Sequence, residues 1–321
     1  MEKEEAENYI LAGKITKSAV EKAKKGIKPG QKLLEIALNI EKSIQSGGGS
    51  SNTNSGGQKG NSNGATGKEK EARPAFPVNL SINENAAHFS PSSDCELVLK
   101  ESDVLKVDLG CHIEGYICDT AFTLNFDNRH AKMIEAAELA LEEALKIAMD
   151  KAELGKIGET IEKTIKGRGF NPIKNLSGHG LAQYEQHASP SIPNIATGNP
   201  SALEDGNAYA IEPFATDGEG YVREGMQSEI FALDKPKPVR NPYARQVLET
   251  IAEEFGELPF ALRWIEEKLK MPEFQQKVAI RELQRAGIIR AFPVLHEAPG
   301  KIVAQAEKSF ILFEGKATVL C

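Results

Sequence analysis

Long apolar runs are missing from this 321-residue chain. No stretch reaches the roughly eighteen consecutive apolar residues that a bilayer crossing takes, so a membrane-spanning protein is not expected. A basic excess is missing too. Against 39 Lys and Arg stand 46 Asp and Glu, for a formal net charge of −7, so no broad positive field awaits a phosphate backbone and DNA is not an expected partner. The N-terminus, MEKEEAENYILAGK, lacks the basic stretch, apolar core and small-residue cleavage site of a secretory leader, and a cytoplasmic protein is expected. Cysteine is scarce. Cys95, Cys111, Cys118 and Cys321 form no CxxC pair and no zinc-ribbon spacing. Cys111 and Cys118 could face each other in a hairpin, but a reducing compartment disfavours a disulfide between them.

What is present is globular material, 40% hydrophobic and 26% charged, enough for one large domain or two ordinary ones. Residues 5–25 and 31–45 repeat apolar side chains every three or four positions, the spacing of amphipathic helices, with GIKPG as the break. Residues 46–70, SGGGSSNTNSGGQKGNSNGATGKEK, hold no large apolar side chain to offset the entropy of ordering, and read as a flexible insert without a catalytic role. A strand pair follows, DVLKVDLGCH and YICDTAFTLNF, then helical patterns over 130–152 and 156–167, the segment NLSGHGLAQYEQHASPSIP and a strand NAYAIEPFA.

The order of helix pair, Asn-Leu-Ser segment and acidic strand thus occurs twice, which reads as an internal duplication. Glu41 to Asn79 spans 38 positions where Glu162 to Asn175 spans 13. The excess of 25 equals the length of the low-complexity run, which reads as an insertion into a two-half scaffold. Residues 240–299 add three helical stretches and a strand, a winged-helix-like subdomain. Its nine basic and nine acidic residues leave no basic face for DNA, so a structural or pocket-forming insert is expected. The expected division is a catalytic domain of 1–239 plus 300–321, the flexible run 46–70 and the helical subdomain 240–299.

Chemistry enters with two aspartates inside the apolar hairpin KVDLGCHIEGYICDTAF. With a two-residue loop at Glu114-Gly115, Asp108 faces Ala121 and Asp119 falls on the same side, because strand side chains alternate. Leu105, Val107, Leu109, Cys118, Phe122 and Leu124 take the other side, toward helices. Two carboxylates on one half-buried face repel unless one is protonated or a cation lies between them. The hairpin alone also allows two independently satisfied aspartates. Glu212 in AIEPF holds the place in the second half that Asp108 holds in the first, and Glu307 lies in a third strand-like run, KIVAQAEKSFILF. His179 lies in SGHGL, where small neighbours let a ligand approach. Two Asp, two Glu and one His suit a divalent ion such as Co, Mn, Fe or Zn, and carboxylates able to bridge suit two such ions.

Read together, AFPVNLSINENAAH, VLKVDLGCHIEGYICDTAFT, NLSGHGLAQYEQHASPSIP, AIEPFAT and VAQAE resemble the type II methionine aminopeptidases of the short, archaeal-like kind, in family order over nearly the whole chain outside 46–70. The resemblance implies an α/β pita-bread fold of two pseudo-symmetric halves. It implies two divalent metal ions held by Asp108, Asp119, His179, Glu212 and Glu307, with Asp119 and Glu307 bridging. His88 and His187 fall on catalytic, non-ligand positions, and Glu212 on that of the group that takes the proton of a metal-bridging water as it becomes the attacking hydroxide. Phe76, Pro77, Phe214 and Phe292 match the methionine pocket, beside His88 and His187. The implied reaction is removal of the initiator methionine from nascent polypeptides ahead of a small second residue, by a monomer that has the peptide, and also the ribosome, as partners.

The chain departs from that pattern at four positions. Ala306 and Lys308 flank Glu307 where Phe and His are usual, and both are expected to point away from its side. Gln186 replaces an apolar pocket residue and Ser189 a glycine. These bear on rate and substrate preference more than on reaction type. Two other readings stay open: a prolidase or Xaa-Pro aminopeptidase, which usually carries a large extra N-terminal domain, and a non-catalytic relative that binds ribosomes or RNA, which loses ligands. His112, His130 and His296 are expected to be solvated.

Overall fold

The first two apolar repeats form the α-helices Lys3–Gly26 and Leu33–Gly47. In this computed structural model residues 1–47, 70–226 and 229–321 are described, and the low-complexity run 46–70 lies outside them apart from Ser46, Gly47 and Lys70. The inward faces of the two helices, with Tyr9, Ile15, Leu33, Ile36 and Ile40, enter one buried cluster with Leu105, Val107, Leu109, Cys118 and Phe122 of the hairpin. Burial of that apolar stripe is what holds both helices on the sheet.

The hairpin pairs Val104–Ile113 with Tyr116–Asn125 along its full length, Asp108 opposite Ala121 and Gly110 opposite Asp119. Glu114 and Gly115 turn it with φ of 52° and 87°, the geometry whose twist matches a two-residue hairpin. A nine-stranded sheet grows around it, running through Ala72–Pro74, Val104–Ile113, Tyr116–Asn125, Glu307–Phe313, Asn207–Ile211, Ser177–Ala182 and Glu185–Pro193, with Asn79–Ile82 and Lys316–Val319 paired off this path. A second helix pair, Ala131–Ile147 and Leu154–Gly167, packs on the other half through Ala136, Ala140, Ile157, Ile161, Tyr209 and Phe310.

NAYAIEPFA is not one strand, as its apolar pattern suggests. Asn207–Ile211 pairs with Glu307–Phe313 in the main sheet, while Phe214–Thr216 pairs with Val303–Gln305 in a separate small one. The two chains change sheet together, at Glu212-Pro213 and at Ala306, where the Ala306 N–H donates to the Pro213 carbonyl at 3.2 Å. Pro213 has no N–H to continue a ladder, so the strand ends there. Glu212 therefore occupies a corner.

Helices Pro242–Glu254, Leu262–Lys268 and Glu273–Arg285 surround their own buried cluster, with Phe231, Val247, Ile251, Phe260 and Leu283. A buried ion pair ties this part to the first half. Arg263 donates to Glu41, Ser90 and the Pro91 carbonyl, and Trp264 Nε1 donates to Glu41 Oε2 at 3.0 Å. Among the described residues, no helix is long and apolar enough to cross a membrane.

His112 is buried, contrary to expectation, because Tyr184 lies edge-on to its ring at 5.9 Å and Gly115 N–H donates to its Nδ1 at 3.1 Å. His130 and His296 are half-buried. His296 pairs with the Asn85–Ala87 strand, which takes it out of solvent.

Candidate metal centre and active site

Strand register carries four carboxylates and an imidazole to one place. Asp108, Ala121 and Glu307 form a cross-strand row. On the next row Asp119 sits opposite Gly110, its N–H donating to Ser309 Oγ at 2.8 Å and its carbonyl accepting from the same hydroxyl at 2.6 Å. Ser309 pairs with Ala210, and Ala210 with His179. Small residues between the acids keep the floor of the cleft low. Glu212 comes in from the corner, with its own carbonyl held by Asn194 Nδ2 at 3.0 Å.

Asp119, His179 and Glu307 each offer a ligand atom within 4.8 Å of the others. His179 Nε2 lies 3.9 Å from both Asp119 Oδ2 and Glu212 Oε1. Its Nδ1 is 3.0 Å from the Gly180 carbonyl, which only accepts, so Nδ1 carries the proton and Nε2 turns its lone pair to the carboxylates. Burial pushes His179 down to about 4 and keeps it neutral. Burial pushes Asp119 up to about 7, against the opposing hydrogen bonds from Gln186 and the Thr120 backbone. Asp108, Glu212 and Glu307 are held well above the carboxylate range, by burial first and then by the charges of neighbouring carboxylates, Asp119 among them in every case. Asp108 Oδ1 and Asp119 Oδ1 are buried and have no hydrogen-bond partner among the described residues. Buried carboxylate oxygens left this way are costly, and a cation is the group they fit. Oxygen donors with a single neutral imidazole suit a hard or borderline divalent ion.

The cleft above the acids has a volume of about 300 Å³ and takes in Phe76, His88, His187, Phe214 and Phe292. Pro77 does not line it; it is buried, and its carbonyl accepts from Asn79 Nδ2 at 3.0 Å. His88 has a φ of 66°, a strained value for a side-chain-bearing residue. Its Nδ1 lies 3.1 Å from the Pro293 carbonyl and its ring is edge-on to Phe292 at 5.6 Å. Burial lowers its pKa. His187 stands exposed in the open cleft, 4.6 Å from the His179 ring. Crowding by the cleft walls, then the charges of His179, His88 and Arg290, hold it well below the imidazole range. A larger cavity, about 650 Å³ between the helix Leu33–Gly47 and Trp264, contains none of the five candidate ligands.

Three polar contacts of the acids were not anticipated, although Gln186 itself was expected at the pocket. Gln186 Nε2 donates to Asp119 Oδ2 at 3.0 Å, Gln305 Nε2 lies 3.5 Å from Glu307 Oε2, and Asn79 pairs in register with Asp108. Asn79 lies in the repeated Asn-Leu-Ser segment and Gln305 two places before Glu307, so position beside an acid was the available signal. Ala306 and Lys308 line a separate cavity of about 390 Å³ toward the helices Lys3–Gly26 and Ala131–Ile147. All four cysteines are free, and Cys118 Sγ lies 3.0 Å from Cys321 Sγ.

Two helix-backed halves closing on a buried cluster of carboxylates and histidine define the pita-bread metallopeptidase class. Residues 7–231 match metallopeptidase family M24, and the chain belongs to that family. It is similar to the methionine aminopeptidase of Archaeoglobus fulgidus, at 42% identity over 319 residues that cover 99% of each chain. Among solved structures it resembles a thermophilic Arx1, with a TM-score of 0.83 at 18% identity over 100% of this chain and 91% of that one. The methionine aminopeptidase of Thermotoga maritima superposes with a TM-score of 0.66 at 21% identity, over 100% and 97%. The fold expected from the sequence is the fold found.

Proposed function

We infer that this chain is a methionine aminopeptidase, a metal-dependent exopeptidase that removes the initiator methionine ahead of a small second residue. Near-full-length identity to curated methionine aminopeptidases supports the reaction. The observation that carries the site is the pair of orphaned oxygens on Asp108 and Asp119, facing a cleft walled by Phe76 and Phe214.

Asp108, Asp119, His179, Glu212 and Glu307 would hold the metal, with Asp119 and Glu307 central enough to bridge two ions. Bound there, the ions would supply Lewis acidity toward the peptide carbonyl and an acidified water. Glu212, at the corner beside His179, would accept the proton of the attacking water and pass it to the leaving amine. His187, neutral and open to the cleft, would donate to the oxygen on which charge develops. His88 carries its proton on Nδ1, since the Pro293 carbonyl only accepts, so its Nε2 suits acceptance from the scissile N–H. An unbranched thioether packs well against Phe76 and Phe214. We assign residues 1–239 plus 300–321 to catalysis and 240–299 to the cleft wall, where Pro259 and Phe292 stand.

The test is mass spectrometry of peptide products after incubation with Mn, Co, Fe or Zn. Methionine is released from Met-Ala-Ser and not from Met-Lys-Ser, and Ala-Pro peptides stay intact; cleavage of Ala-Pro peptides alone would make the chain a prolidase. Asp108→Ala abolishes release, and its retention in metal-replete buffer would sink the site assignment.

A further inference from the structure

Asp119 is pinned by its backbone, through both hydrogen bonds to Ser309. Its carboxylate is held more loosely, by the Thr120 backbone and one side chain. The torsion that sets a carboxylate plane is broad and two-fold, so packing alone leaves it soft. Among the described residues one side-chain amide reaches it, Gln186 Nε2 on Oδ2 at 3.0 Å, from a strand 67 positions away in sequence. That oxygen is the one 3.9 Å from His179 Nε2. The other, Oδ1, is buried without a partner.

Gln186 also stands on a boundary. It lines the 300 Å³ cleft and, on its other side, a polar cleft of about 240 Å³ with Tyr184, Asp234, Glu257 and Arg290. An apolar side chain would fill the same partition. Of the two, only an amide gives Asp119 Oδ2 a side-chain donor while leaving a lone pair on that oxygen directed toward His179, since a carboxylate oxygen accepts more than one bond.

We propose that Gln186 is a positioning residue for the metal centre: its amide sets the plane of the Asp119 carboxylate so that Oδ2 is presented beside His179 Nε2 for capture of a cation. The inference rests on the metallopeptidase reading above. Hydrogen-bond partners of metal ligands are worth about 10- to 100-fold in metal affinity. Replacement by Leu keeps the bulk and loses the donor, whereas replacement by Ala loses both. The two variants therefore separate an amide role from a packing role.

The experiment is calorimetric titration of Mn²⁺ into the metal-free full chain, for the parent, Gln186→Leu and Gln186→Ala, with melting of each in chelator. Both variants bind Mn²⁺ about tenfold more weakly than the parent or worse, while their metal-free melting temperatures stay with the parent, because the residue is half-buried at a sheet edge. Parent-like affinity in Gln186→Leu overturns the proposal, whether or not Gln186→Ala is weakened. A parent chain that binds no Mn²⁺ would instead overturn the metallopeptidase reading beneath it.

Discussion

Replacing His112 by Asn changes the pH dependence of stability by an amount that the surroundings of the ring set. His112 is 8% exposed, pairs across the sheet with Arg73, and takes the Gly115 N–H on its Nδ1. Burial first, and then the Arg73 charge, push its pKa down to about 4 from an ordinary 6.5. Between those values the unfolded chain binds a proton that the folded chain refuses. The stability is present in full above the unfolded value and is lost as pH falls through the folded one, reaching about 3 kcal/mol at the limit and about 2 kcal/mol near pH 5. Asn does not titrate, and its side-chain oxygen can accept the same Gly115 N–H. Urea unfolding of the metal-free protein at about pH 7.5 and about pH 5 reads the difference, and groups common to both proteins cancel. The parent loses about 2 kcal/mol more than His112→Asn over that interval. Equal losses in the two proteins would refute the burial argument, because a solvated ring at the turn predicts no difference.

Arg263→Met leaves Glu41 buried with only Trp264 Nε1 and the Val78 N–H as donors, and lowers stability by about 3–5 kcal/mol in denaturant unfolding. A loss below about 1 kcal/mol would mean the pair is not a clamp between the helical subdomain and the first half. Gly110→Ala places a Cβ 2.5 Å from Phe76 Cε1 and 3.0 Å from the Cys118 carbonyl. The ring is driven into the methionine cleft, and KM for Met-Ala-Ser rises about tenfold, so an unchanged KM would show that Phe76 does not bound that pocket.

The hairpin was legible because its evidence is local. Glu114-Gly115 fixes the turn, the turn fixes the register, and the register puts Asp108 and Asp119 on one face with six apolar residues on the other. The corner was not legible. An apolar run says that a segment is buried, but not that it leaves one sheet for another, and Pro213 was the one sign that AIEPF must break after Ile211. His112 was misplaced for a related reason. A residue beside a turn is ordinarily wet, and what closes over this one is Tyr184, which is 72 residues away by number. Gln186 stood out as a polar residue in an apolar setting, yet its partner Asp119 is equally remote, so its use could not be read from neighbours. Pro77 differs in the opposite direction: resemblance of AFP to the family motif put it in the pocket, whereas it is buried and does not line the cleft.

Charge supports the proposed pair of ions. When Asp108, Asp119, Glu212 and Glu307 are all ionised they place four negative charges in one buried cluster, and His179, held neutral by burial, offsets none of them. Burial and mutual repulsion therefore press the cluster to take up protons. One divalent ion balances half of that charge and leaves a reason for protons to remain on the other carboxylates. Two balance it all, so every carboxylate is free to bind as an anion. Because each acid is delivered by a different segment, the two strands of the hairpin, the corner and the strand Glu307–Phe313, cations that relieved the repulsion would also join those segments across the cleft.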